Sequence, residues 1–176
     1  MKMPNDSTKR PPLRVQGIEL TDRSPSPSNG TLEDAIAIAA RVHQGQIDKA
    51  GAPYILHPLR LMMRMTSIPA MIVAVLHDVV EDSDPADKWT MERLREAGFS
   101  DEILKAIDGV TSRDGESYDQ FIDRASGNSL ARQVKVADLE DNLNTLRIKD
   151  LRPKDLERIE KYHRSWQKLR TLGTGS

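Results

Sequence analysis

The chain has 176 residues, enough for one ordinary domain with a hydrophobic core. Lys and Arg together number 26 and Asp and Glu together number 27, so the near-zero net charge excludes a strong field that would draw the protein onto nucleic acid or anionic lipid. The lack of cysteine excludes a disulfide scaffold, a thiolate zinc site and a cysteine nucleophile.

The first 28 residues differ in composition from the rest of the chain. They are rich in proline and polar residues and have too few apolar positions to offset the entropy of ordering them. We therefore predict a flexible tail over residues 1–28 and a single folded domain over residues 29–172. The longest apolar run is far shorter than the roughly 20 residues that span a bilayer, and the N-terminus lacks the apolar core of a signal peptide. We expect a cytoplasmic protein without membrane or nucleic-acid partners, and its oligomeric state stays open.

Apolar residues at helical spacing predict a succession of helices. The first begins after a Thr31 cap and ends near His43, and the second follows a loop at residues 44–56 and begins at Pro58. Residues 71–80 are rich in β-branched side chains and would suit a buried strand, but no other segment alternates as a partner strand would, so helix is preferred. Further helices are predicted at residues 90–97, 100–107, 117–125, 130–149 and 153–172. The predicted fold is an all-α, compact bundle of seven or eight helices.

Polar residues interrupt two of the most apolar helices. His77 and Asp78 directly follow the apolar run that ends at Leu76, and burying them unpaired would cost on the order of several kcal/mol. A cation shared between the imidazole and the carboxylate removes that cost. Asp138 interrupts the core side of a later helix, and His57 stands at the mouth of the second. These four residues are the predicted ligands of one metal ion, with positions left open for water and phosphate.

Two further acids accompany this cluster. Glu81 and Asp82 lie four residues beyond the His77–Asp78 pair, and therefore one helical turn along the same faces. Taken singly, each of these features has a plainer explanation, such as a buried hydrogen-bonded pair or a solvated acidic helix end. Their joint occurrence favours a metal site with neighbouring acids.

Four sequence blocks occur in an order and spacing found in a known family. They are VHQGQ at residues 42–46, GAPYILHP at 51–58, LHDVVED at 76–82 and VKVADLEDN at 134–142, and DGVT at 108–111 matches a linking block. On these blocks, the chain resembles the HD-domain hydrolases of the RelA/SpoT alarmone family, in particular the short stand-alone alarmone hydrolases. The resemblance covers roughly residues 31–150.

The resemblance implies an HD-domain fold and hydrolysis of the 3′-pyrophosphate of ppGpp and its triphosphate analogue, usually with one Mn²⁺ ion. The products are pyrophosphate and GDP or GTP. By matched position, the metal ligands are His57, His77, Asp78 and Asp138. The catalytic acid pair that orients or deprotonates the attacking water is Glu81 and Asp82. The implied substrate-binding residues are Lys49, Tyr54, Asn142 and Thr145.

One position departs from the family pattern. Family members that act on guanine commonly carry Arg-Lys-Ser-Gly where this chain has Asp48-Lys49-Ala50-Gly51, and the arginine is expected to pack on the base. Asp48 removes that planar cation and reverses the local charge. The resemblance therefore leaves guanine and adenine open, and ppApp is the alternative substrate.

Two other functions compete with alarmone hydrolysis. The first is an HD phosphohydrolase of other nucleotides, although His43 and His163 are too few and too badly placed to build the second metal site of two-metal phosphodiesterases. The second is a non-catalytic nucleotide-binding module. Retention of the acid pair argues against it, because a pure binder has no evident need to activate water.

Overall fold

The computed structural model of the chain describes residues 30–172, and the predicted tail at residues 1–28 lies outside this range. Within the described residues the chain forms nine α-helices and two 3₁₀ turns, with no β-strand. The helices are α1 (Leu32–Val42), α2 (Leu56–Met62), α3 (Ile68–Leu76), α4 (Val79–Asp82), α5 (Met91–Glu96), α6 (Asp101–Val110), α7 (Tyr118–Ser126), α8 (Ser129–Leu143) and α9 (Pro153–Thr171). The all-α prediction is confirmed, and the helix count is eight when α3 and α4 are taken as one interrupted helix.

Helix α3 forms the centre of the bundle. It packs against α1, α2, α6 and α8, and every residue from Ile72 to Leu76 is buried. Its start is defined by Ser67, whose hydroxyl accepts a hydrogen bond from the Ala70 amide. Because the C-terminal half of α3 is buried, a polar residue that follows it starts from the interior of the protein.

Two helix boundaries next to predicted metal ligands differ from the predictions. The predicted helix at residues 71–80 is interrupted at His77 and Asp78, so both side chains project from a turn between α3 and α4. The second helix begins before His57 rather than at Pro58, so His57 belongs to its first turn. No helix within residues 30–172 is long and apolar enough to cross a membrane.

Helix α8 ends at Leu143, six residues before the predicted end at residue 149. The segment that follows forms a 3₁₀ turn at Thr145–Arg147. From this turn Arg147 reaches back, and its Nη2 donates to the carbonyl of Asp141 in the last turn of α8 at 2.9 Å. A cation at this end of a helix is favourable because it meets carbonyl groups that have no helical partner.

Candidate metal centre and adjoining cavity

His77 lies at the C-terminal end of α3 and is 2% exposed. Its Nδ1 lies 2.9 Å from the carbonyl oxygen of Ala74, and because a carbonyl can only accept, Nδ1 carries the proton. The other ring nitrogen, Nε2, lies 2.8 Å from Asp78 Oδ2, but it makes no hydrogen bond of acceptable geometry. His77 therefore directs a buried ring nitrogen, without a hydrogen bond of its own, at a carboxylate.

His57 has the same arrangement at the start of α2. Its Nδ1 lies 2.7 Å from Asp141 Oδ2, and Arg60 donates two hydrogen bonds of 2.8 Å to the same carboxylate. With Nδ1 donating to Asp141, the Nε2 of His57 faces Asp138 Oδ1 at 3.2 Å. A histidine whose far nitrogen is held by a carboxylate is the usual arrangement behind a metal ligand.

Asp138 brings α8 into the same cluster. Ligand atoms of His57, His77 and Asp138 all lie within 4.8 Å of one another, and all three residues are buried. The second oxygen of Asp138 accepts from Lys135 Nζ at 2.8 Å, which orients the carboxylate. The fourth predicted ligand is adjacent, because Asp78 Oδ2 lies 4.0 Å from His57 Nε2. The structure thus brings the four predicted ligands together from α2, the α3–α4 turn and α8.

The charges of this cluster follow from its geometry. Burial lowers the pKa of His57, but hydrogen bonds with Asp138 and Asp141 outweigh burial and raise it to about 9. Burial raises the pKa of Asp78, but the neighbouring His77 outweighs it and lowers that pKa to about 2. Burial likewise opposes ionisation of Asp138, yet Lys135 and His57 hold its pKa far below the usual value. Two imidazole nitrogens and two ionised carboxylates form a mixed nitrogen and oxygen donor set, which fits a divalent ion such as Mn²⁺ or Zn²⁺.

This cluster makes the metal-free protein sensitive to pH. A histidine whose folded-state pKa exceeds its unfolded value stabilises the fold fully below the unfolded pKa, and this stability disappears as the pH rises through the folded pKa. For His57 that window runs from 6.5 to about 9. We therefore expect the melting temperature of the protein in EDTA to fall across this window. We also expect the increase caused by Mn²⁺ to grow with pH, because a metal ion binds deprotonated imidazoles.

Thermal melts followed by circular dichroism at several pH values, with EDTA or with Mn²⁺, would measure both effects. Asp78 and Asp141, whose carboxyl pKa values are lowered, change protonation only in acid. They therefore do not alter the stability of the fold between pH 6.5 and 9. A melting temperature in EDTA that stays constant or rises between pH 6.5 and 9 would contradict the protonation assigned to His57.

The two predicted catalytic acids occupy different surroundings. Asp82 ends α4 and lines a cavity beside the cluster. Burial, together with repulsion from Asp78 and Glu81, raises the pKa of Asp82 to about 6. Such a carboxylate is ionised at neutral pH and is still basic enough to take a proton from water. Glu81 does not line the cavity; its carboxylate accepts from the Ser112 amide at 2.6 Å and from the Ser112 hydroxyl at 2.9 Å. The catalytic assignment of Glu81 stays a prediction.

The cavity has a volume of about 430 Å³ and is lined by three of the four predicted substrate-binding residues, Lys49, Tyr54 and Asn142. The Tyr54 hydroxyl donates to Asp78 Oδ2, and Asn142 Nδ2 donates to Asp138 Oδ1 at 2.6 Å. Both side chains therefore orient predicted metal ligands as well as face the cavity. Thr145, in the 3₁₀ turn, is not part of the lining.

Several functional residues were not predicted from the sequence. Asp141, which holds His57, and Lys135, which holds Asp138, lie three residues on either side of Asp138 on one helix face. This spacing was a signal available in the sequence. Two other basic residues of the lining, Arg147 and Arg158, follow α8 in the chain, and no local pattern marks them.

The chain is similar to known alarmone enzymes. No protein-family model matches it. A probable GTP pyrophosphokinase of Mycobacterium leprae is 31% identical over 137 residues, which cover 70% of this chain and 17% of that protein. A guanosine-3′,5′-bis(diphosphate) 3′-pyrophosphohydrolase of Aquifex aeolicus is 30% identical over 127 residues, which cover 65% of this chain and 18% of that protein. The chain thus spans less than a fifth of the length of either curated relative.

A solved structure has the same fold. It is described as a metazoan ortholog of SpoT that hydrolyses ppGpp, and it superposes with a TM-score of 0.64 at 24% sequence identity. The match covers 86% of this chain and 89% of the other. The helical bundle described above is therefore that of an HD-type domain.

Proposed function

Because the chain belongs to the RelA/SpoT-type HD-domain family, we propose that it hydrolyses the 3′-pyrophosphate of ppGpp-type alarmones. The products are pyrophosphate and GDP, or GTP from the triphosphate analogue. The observation that carries this proposal is the convergence of buried His57, His77 and Asp138 on one point beside a cavity lined by basic residues. A cytoplasmic location is part of the same proposal.

The donor set supports a metal-dependent reaction. We assign His57, His77, Asp78 and Asp138 as the ligands of one divalent ion, proposed to be Mn²⁺. Such an ion supplies Lewis acidity, which makes water more acidic and offsets negative charge on phosphoryl oxygens. Asp141 and the Ala74 carbonyl fix both imidazole rings with Nε2 directed at this point.

Side chains of the protein carry out the proton transfer and bind the nucleotide. Asp82 takes a proton from the attacking water. At the same time the water oxygen bonds to the phosphorus that is attached to the 3′-oxygen. The bond between that phosphorus and the 3′-oxygen breaks, the 3′-oxygen takes the proton that Asp82 removed from water, and pyrophosphate leaves. Lys49 is the basic side chain of the lining that we assign to the pyrophosphate groups of the nucleotide. Arg60, Lys135 and Arg158 also line the cavity, where they pair with the carboxylates of Asp141, Asp138 and Asp155.

The relatives include both a probable GTP pyrophosphokinase and a guanosine-3′,5′-bis(diphosphate) 3′-pyrophosphohydrolase. We favour hydrolysis because the cavity adjoins a candidate metal centre and a carboxylate with a pKa near neutrality, as water activation requires. The base is a separate question, because Asp48 stands where guanine-specific relatives are expected to have arginine. Both ppGpp and ppApp are therefore candidate substrates.

An assay of ppGpp and ppApp side by side with Mn²⁺ tests this function. We expect chromatography to identify pyrophosphate together with GDP or ADP, and we expect EDTA to stop the reaction. Nucleoside monophosphates serve as the control panel, since they contain no pyrophosphate. Release of inorganic phosphate from them, with ppGpp and ppApp left intact, would support a general HD phosphohydrolase instead. Binding without turnover of any nucleotide would support a non-catalytic module.

A further inference from the structure

Asp48 does not present a free negative charge to the cavity. Its Oδ1 accepts from the amides of Ala50 and Ala52, both at 2.9 Å, and this pair of bonds shapes the loop before α2. Its Oδ2 accepts from Arg147 Nη1 at 3.0 Å. The side chain of Asp48 is only 12% exposed. Its carboxylate is therefore neutralised and fully hydrogen-bonded before any ligand arrives.

Arg147 is held on both of its terminal nitrogens. Nη1 donates to Asp48, and Nη2 donates to the carbonyl oxygen of Asp141 at 2.9 Å and to its Oδ2 at 3.2 Å. Hydrogen bonds to a guanidinium lie close to its plane, so bonds in two directions fix the orientation of that plane. The faces of the group take no part in these bonds. Arg147 lines the cavity and its side chain is 31% exposed.

Aliphatic side chains lie next to this ion pair in the chain. Among the described residues that line the cavity, the large aliphatic ones are Ile47 and Ile148, and they are the chain neighbours of Asp48 and Arg147. A flat group with an apolar face fits such a position better than a phosphate does, because phosphate needs donors directed at its oxygens. Guanidinium groups stack on the faces of aromatic rings, including nucleobases.

We propose that Arg147 is the stacking platform for the purine base of the substrate, held in place by Asp48 and Asp141. This assignment rests on the proposed function in that the ligand is a purine nucleotide. Asp48 positions the platform and does not itself choose between guanine and adenine. Arg147 binds the base of either nucleotide, while the metal centre and Lys49 bind the pyrophosphate.

Binding measurements separate this role from simple charge attraction. We would titrate GDP, ADP and inorganic pyrophosphate into protein loaded with one equivalent of Mn²⁺, using calorimetry. For Arg147→Gln we expect GDP and ADP to bind roughly tenfold more weakly, which is within the range for loss of one stacked base. Pyrophosphate, which has no base, should bind as it does to the wild type. Arg147→Lys keeps the charge but loses the planar group, so it should show the same loss.

Arg164→Gln is the matched control, because Arg164 is exposed on α9 outside the cavity lining. It should leave all three affinities unchanged, and melting temperatures would verify that each variant is folded. Equal weakening of pyrophosphate and GDP by Arg147→Gln would assign Arg147 to phosphate and overturn the proposal. The proposal would also be overturned if Arg147→Gln left GDP binding unchanged, or if Arg147→Lys bound GDP and ADP as the wild type does. A wild type that binds neither nucleotide would overturn it as well. These titrations measure binding and involve no turnover. If the expected binding results were found but no nucleotide were hydrolysed, the proposed function would fail while the role of Arg147 would stand.

Discussion

Replacing His77 by alanine is expected to lower kcat/KM for ppGpp by roughly three orders of magnitude or more. The substitution removes the buried Nε2 that points into the cluster with His57 and Asp138. A metal ion in such a site contributes several kcal/mol to transition-state stabilisation, and each 1.36 kcal/mol corresponds to about a tenfold change in rate. Steady-state release of pyrophosphate with saturating Mn²⁺ measures the loss.

Metal binding provides a second readout that does not depend on turnover. For the wild type, Mn²⁺ at about 100 times its Kd should stabilise the fold by about 2.7 kcal/mol. His77→Ala should lose this effect. His163→Ala is the matched control, because His163 is exposed on α9 and stacks on Trp166. A His77→Ala protein that keeps the Mn²⁺-induced stabilisation, or keeps wild-type turnover, would show that the cluster is not the metal centre.

Replacing Asp82 by asparagine should lower kcat by a factor of roughly 10² to 10⁴, the usual contribution of a general base. The amide is nearly isosteric but cannot accept the proton of water. Asp82 is not one of the four assigned metal ligands, so we expect the stabilisation by Mn²⁺ to be unchanged. Single-turnover measurements at saturating ppGpp would isolate the chemical step from product release.

Glu81→Gln distinguishes the two predicted acids. Its hydrogen bonds to Ser112 indicate that Glu81 holds the segment after α6, so we expect a smaller loss of kcat and a lower melting temperature. A glutamine can keep only part of this pairing with the Ser112 amide and hydroxyl. If Glu81→Gln loses as much activity as Asp82→Asn, both acids act on the water. If Asp82→Asn keeps wild-type kcat, Asp82 is not the base.

The helical class of the protein could be predicted because it rests on local patterns. The predicted cap Thr31 forms a capping box in the structure, and so does Ser117, where another helix was predicted to begin. The interruption between α3 and α4 was not foreseen, since residues 71–80 have the continuous apolar character of one buried helix. It places His77 and Asp78 in a turn, where both side chains can face the same point.

The early end of α8 was missed for a related reason. The apolar spacing of Leu139, Leu143 and Leu146 continues past the end of the helix, so periodicity predicted a helix up to residue 149. Leu146 is 97% exposed in the structure, so this part of the pattern does not mark a buried face. The end of the helix is marked instead by Arg147, which binds the Asp141 carbonyl and the Asp48 carboxylate.

The sequence by itself determined the all-helical class, the family resemblance and the candidate ligands His57, His77, Asp78 and Asp138, because helical periodicity and short motifs are properties of neighbouring residues. Only the tertiary structure decided which groups hold and surround those ligands. Asp141 pairs with His57 across 84 positions of chain, Arg147 with Asp48 across 99, and Ser112 with Glu81 across 31. Such pairs arise from the packing of helices against α3, and no local pattern encodes which polar groups that packing brings together.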